Sequence, residues 1–172
     1  MKKLAYCLLV FISLVNNTIM AQSIESDNNP RNIIYINAGT LLVYNSVNLN
    51  YERRTWHSDN GFFKNYYLNL GAGIFSRNSG FAPGPNSKGI VSSLGLIALT
   101  GKSNGHFETG LGVSVNIETD ITNDDPEEGF EKETFVLPNI IIGYRYQKEN
   151  APMIRLGIDF PRGIYMGFGY GF

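Results

Sequence analysis

The segment Ile164-Tyr165-Met166-Gly167-Phe168-Gly169-Tyr170-Gly171-Phe172 decides the fold. Its even positions are all large and apolar or aromatic, and its odd positions are glycine except for Tyr165. A period of two belongs to a strand with two unlike faces. In a soluble barrel the bulky face turns inward and the outward face is polar. Here the second face is almost bare, so the bulky face has to meet an apolar solvent. Lipid is the simplest such solvent, and a strand in lipid satisfies its backbone only inside a closed barrel.

The same alternation extends back through the chain. Seven more segments carry it: 32–42, 47–56, 65–77, 89–100, 107–118, 135–147 and 153–160. The clearest is the fifth, with Phe107, Thr109, Leu111, Val113, Val115 and Ile117 on one face. Opposite them lie His106, Glu108, Gly110, Gly112, Ser114, Asn116 and Glu118. The segment 89–100 is ambiguous, being partly apolar on both faces. Pro138 predicts fraying or a bulge in the upper part of the sixth segment. Segments of about ten residues suit tilted bilayer-spanning strands, and bacterial single-chain barrels carry an even number. The expected fold is therefore all-β: an eight-stranded antiparallel transmembrane up-and-down β-barrel over residues 32–172.

The charged strand residues share the glycine-rich face. This sign argues against a lipocalin-like soluble barrel, which alternation alone would also fit. Glu52, Arg54, Glu108, Glu118, Arg145, Arg155 and Asp159 are expected in the lumen as a ladder of carboxylate–guanidinium contacts. So narrow a barrel fills with its own side chains, and charges buried there are costly unless paired. The ladder reads as a plug; a pore lining would need a wider, water-filled channel.

Before the barrel, Met1-Lys2-Lys3 and the apolar run Leu4–Val15 read as a secretory signal peptide, residues 1–21, cut after Ala21. The run is short for a helix of roughly 20 residues that would anchor the chain. Residues 22–31 read as a flexible periplasmic leader. The only cysteine, Cys7, lies within the signal segment, so disulfide frameworks and thiolate metal sites are excluded from the mature chain. The formal charge is −1, or −3 without Lys2 and Lys3, which argues against a nucleic-acid partner.

With an even strand count both ends of the barrel chain face the periplasm. The longer connections 78–88 and 119–132 then face outward, while Tyr44-Asn45-Ser46 and Pro161-Arg162-Gly163 mark short outer turns. Trp56, Phe62, Phe63, Tyr66, Phe107, Tyr144, Tyr146, Tyr170 and Phe172 gather near the periplasmic rim as an interfacial girdle.

Motifs for chemistry are sparse. Gly95–Ser103 has five residues between its glycines, one too many for a phosphate loop, and no helix follows. His106, Ser103 and Glu108 can be written as a triad, but a polar side chain at the barrel floor accounts for His106. The acidic stretch within 119–132 lacks calcium-loop spacing and reads as a solvated loop. No catalytic site, cofactor or metal is expected.

The terminal Met166, Phe168, Tyr170 and Phe172 resemble the C-terminal signal read by the barrel-assembly machinery of Gram-negative bacteria. Residues 47–54, 99–112 and 142–147 resemble small outer-membrane barrel proteins common in Bacteroidota. The resemblance covers most of the mature chain. It implies an outer-membrane location, contact with outer-membrane lipid, and an assembly-signal role for those four residues. It leaves three functions open. The first is a structural or surface-interaction barrel contacting lipopolysaccharide or another surface partner through loops 78–88 and 119–132. The others are an outer-membrane lipid-modifying enzyme (an acyl hydrolase or transferase) and a narrow pore.

Overall fold

The computed structural model describes residues 29–41, 44–78, 86–101, 103–122, 132–160 and 162–172. The expected signal peptide, residues 22–28 of the leader, 79–85 and 123–131 of the long connections, and Leu42, Lys102 and Pro161 lie outside the described residues.

Among the described residues the alternating segments form eight strands. They are β1 (Asn32–Leu41), β2 (Tyr44–His57), β3 (Phe63–Arg77), β4 (Asn86–Thr100), β5 (Gly105–Thr122), β6 (Thr134–Tyr146), β7 (Ala151–Phe160) and β8 (Gly163–Gly171). Each pairs antiparallel with its sequence neighbours, and β8 returns to β1 to close the barrel. The end carrying Asn32 and Gly171 is called the floor below, and the opposite end the mouth.

The two faces fall as the alternation requires. Leu111 is 67% exposed and Phe168 63%, whereas Glu108 and Arg145 are fully buried. In β8 the even residues face outward and Tyr165 faces inward, which explains why Tyr165 breaks the glycine series. The outer residues form cross-strand rows such as Ile36–Phe168–Ile154 and Ala38–Met166–Leu156. Cross-strand apolar pairs within such rows each add a few tenths of a kcal/mol to pairing.

β4 is apolar on both faces because its inner residues belong to two lumen clusters. Ile97 and Leu99 pack near the floor with Ile33, Tyr35, Tyr67 and Met153. Val91 packs nearer the mouth with Tyr44, Phe75 and Phe135. Glycine and ion pairs therefore share the lumen with two apolar layers.

Several boundaries differ from those read in the sequence. Tyr44-Asn45-Ser46 is not a turn: it pairs with Leu41, Thr40 and Gly39 as the start of β2. Tyr44 points inward, stacks on Phe75 with ring centroids 5.4 Å apart, and donates to Asn116 Oδ1 at 2.7 Å. Asn86–Lys88 and Thr119–Thr122 extend β4 and β5, shortening the β3–β4 and β5–β6 connections. The leader is not free up to residue 31, because Asn29 and Pro30 are buried at the floor. There Tyr67 donates to Pro30 O at 2.9 Å and Gln147 Nε2 to Asn29 Oδ1 at 3.0 Å.

Pro138 produces no bulge. The β5–β6 register runs unbroken through Val113–Pro138, whereas pairing with β7 begins only at Ile140–Phe160. Glu118 N–H donates to Glu133 O at 3.0 Å. Alternation of the antiparallel ladder then turns the Pro138 backbone away from β5, toward a stretch of β6 that β7 does not reach. The missing N–H costs no ladder bond there.

The inner glycines let the wall curve tightly. A Cβ on Gly157 would strike the Ile142 carbonyl oxygen of the adjacent strand. It would also lie 2.6 Å from Gly143 Cα and 2.9 Å from the Tyr165 hydroxyl. Gly157→Ala is therefore expected to cost about 1–3 kcal/mol, the usual cost of overpacking. Urea unfolding followed by the mobility of unheated samples on gels measures it; an unchanged midpoint would refute this account of the glycine face.

Candidate functional site

The centre of the lumen holds four charged side chains from four strands: Glu52 of β2, Glu108 of β5, Arg145 of β6 and Arg155 of β7. None is more than 1% exposed. Alternation accounts for their direction, since each stands on the inner face. Closure of the barrel accounts for their meeting, since β2 lies across the lumen from β6 and β7.

They form a ring. Arg145 spans both carboxylates, reaching Glu52 Oε1 through Nη2 at 3.0 Å and Glu108 through Nε. Arg155 does the same, lying 3.4 Å from Glu52 Oε1 through Nη1 and bonding Glu108 through Nη2. Arg145 and Arg155 are direct cross-strand partners. Like charges so placed repel, and the two carboxylates facing them reverse the sign. The ring is formally neutral, as a buried cluster has to be.

A shell of neutral groups completes it. The Tyr35 hydroxyl donates to Glu52 Oε1 at 2.7 Å and accepts from Asn69 Nδ2 at 2.8 Å and from Arg155. The Tyr165 hydroxyl donates to Glu108 Oε1 at 2.9 Å. The Arg155 guanidinium sits 4.8 Å from the ring centroids of both Tyr35 and Tyr165, sandwiched by two π faces. Arg145 lies 5.9 Å from the Tyr67 ring, whose hydroxyl accepts from Gln147 at 3.1 Å. Charge-assisted bonds of this kind are the strong ones. The arrangement ties β2, β5, β6 and β7 together across the lumen.

The seven charged residues expected in one ladder separate into distinct clusters. Glu118 pairs with Arg77 at 2.9 Å near the mouth and accepts from Ser87 at 2.7 Å. Asp159 lies 3.6 Å from Arg162. Arg54 stays at the floor, donating to Asn29 O at 3.2 Å. Tyr35, Tyr165, Asn69, Arg77 and Arg162 were not singled out as site residues. Tyr165 carried a readable signal, as the lone bulky residue on the bare face of β8. For Arg77 and Arg162, at strand ends, no local pattern exists.

The Ser103, His106 and Glu108 candidates do not assemble as a triad. Ser103 Oγ donates to its neighbour Gly105 O at 2.9 Å. His106 Nδ1 lies 2.5 Å from Thr100 O. Glu108 belongs to the arginine ring. Among the described residues no three His, Cys, Asp or Glu side chains are placed to hold a metal ion. No protein-family model, no curated protein and no solved structure matches the chain.

Proposed function

We propose that this chain is an outer-membrane β-barrel with a sealed polar lumen and a structural or surface-interaction role. One observation carries the reading: the large apolar side chains of the described residues are mostly on the outside. Ile36, Leu49, Ile74, Leu96, Leu111, Ile142, Leu156 and Phe168 are all more than half exposed and together reach around the whole wall. Soluble monomers rarely show a contiguous apolar patch beyond about 300–600 Å². Lipid is the solvent such a belt fits, and a closed barrel is the strand architecture lipid tolerates.

The exposed aromatics mark one rim. Trp56, Phe62, Tyr66, Tyr144, Tyr146, Tyr170 and Phe172 gather toward the floor, while the outer wall near the mouth is mainly aliphatic, as at Ile74, Ile117, Val136 and Ile164. A floor at the periplasmic interface and a mouth at the cell surface fit the connections: β4–β5 and β6–β7 join at the floor over 101–104 and 147–150, whereas the mouth carries the longer 78–85 and 123–133. Met166, Phe168, Tyr170 and Phe172 then present the recognition face for barrel assembly. Partners meet the connections 78–85 and 123–133 at the surface.

Membrane fractionation, with and without boiling before electrophoresis, tests the reading. The protein is expected in the outer-membrane fraction, with different mobilities before and after heating. Recovery as a water-soluble monomer without detergent would end it. Planar bilayers with confirmed insertion are expected to stay electrically silent, and stepwise conductance would favour the pore. Altered lipid A in a deletion strain would favour the enzyme.

A further inference from the structure

On the mouth side of the arginine–glutamate ring lies a small chamber of about 20 Å³. Asn37, two residues beyond Tyr35 on β1, lines it, as do Asp159, four beyond Arg155 on β7, and Arg162 of the β7–β8 turn. Ser93 of β4 and Asn139 of β6 also line it. Gly167 makes room for two of its lining side chains: a Cβ there would meet Arg155 Cγ at 2.8 Å and Asn37 Oδ1 at 3.2 Å.

Its lining has unmet hydrogen-bonding capacity of both kinds. Asn37 Oδ1 and Asp159 Oδ1 are buried acceptors with no protein partner. Arg155 Nε, Arg162 Nε and Arg162 Nη2 are buried donors in the same condition. Asp159 is 1% exposed and Arg162 5%. Unpaired groups at such depth are costly, so four lining residues that carry five of them call for a ligand.

The mixture of polarities selects its chemistry. An anion would satisfy the arginines but meet the Asp159 carboxylate and leave the amide oxygen unpaired. A cation would satisfy the oxygens but meet two guanidinium groups. Water donates twice and accepts twice, and a chamber above about 10–15 Å³ with two to four polar partners suffices to hold it. We propose that the chamber is a specific site for one ordered water molecule, which meets four of these five groups by bridging Asp159 and Asn37 to two of the arginine donors and extends the lumen plug above the ion-pair ring.

The folded full-length protein in nanodiscs tests this. Water–protein NOE spectra are expected to show a long-lived water contacting the Asn37 and Asn139 side-chain amides. Asn37→Leu should abolish those cross-peaks while leaving the unheated gel mobility intact. Assigned amides without water cross-peaks in the wild-type protein would overturn the proposal. So would an anomalous peak beside Arg162 in bromide-soaked crystals, which would make the site an anion site. Neither measurement needs a variant, so the proposal stands or falls even if Asn37→Leu does not fold.

Discussion

Replacing Arg145 with methionine is expected to cost about 3–5 kcal/mol of folding stability, the range found when one partner of a buried ion pair is removed. Arg145 is fully buried and bonds both Glu52 and Glu108. Without it, two buried carboxylates share the single charge of Arg155. Water cannot compensate easily, because Tyr35, Tyr67 and Tyr165 pack around the ring. Adding Glu108→Gln to Arg145→Met restores one-to-one charge balance and is expected to recover a large part of the loss. That recovery is the non-additivity of groups acting as a unit. Urea titration into lipid vesicles, read as the ratio of folded to unfolded bands, gives both numbers. A loss below about 1 kcal/mol, the level of an exposed pair, would mean that the ring is not the structural centre of the lumen.

Leu111→Arg is the second large effect, and its sign separates the membrane reading from a soluble one. The side chain projects outward from β5, between Leu96 of β4 and Ile140 of β6. Facing hydrocarbon near the bilayer midplane, an arginine costs about 2–4 kcal/mol, falling toward zero at the interfaces. Facing water, the same substitution would be neutral within about 0.5 kcal/mol and would raise solubility. Leu156→Arg on β7 serves as an independent repeat, since that residue is also well exposed and lies outside the C-terminal signal. Reduced outer-membrane yield and a lowered urea midpoint are expected for both. Unaltered stability with improved recovery in buffer would reject the lipid-facing belt.

Much of the architecture was legible because side-chain direction in a strand depends only on parity. Ile34 and Ile36, Leu49 and Tyr51, and the even residues of β8 all point outward as their alternation requires. Glu52, Glu108, Arg145, Arg155 and Asp159 all point inward for the same reason. Strand ends are less legible in the sequence. Tyr44 looked like part of a turn because Asn45 and Ser46 follow it, yet its ring has a place against Phe75 that only the closed lumen creates. Asn29 and Pro30 looked like part of a solvated leader, and the floor of the barrel turns out to bind them.

Alternation along the chain determined which residues face the lumen and which face outward, and it did so for almost every strand. It said nothing about height around the cylinder. That Arg145 meets Glu52, 93 residues away, while Glu118 turns to Arg77 and Asp159 to Arg162, was decided by tertiary structure alone. The physical reason is that a period of two fixes a side chain's face, whereas the level at which it crosses the lumen depends on strand tilt and on the register of every ladder in the closed wall.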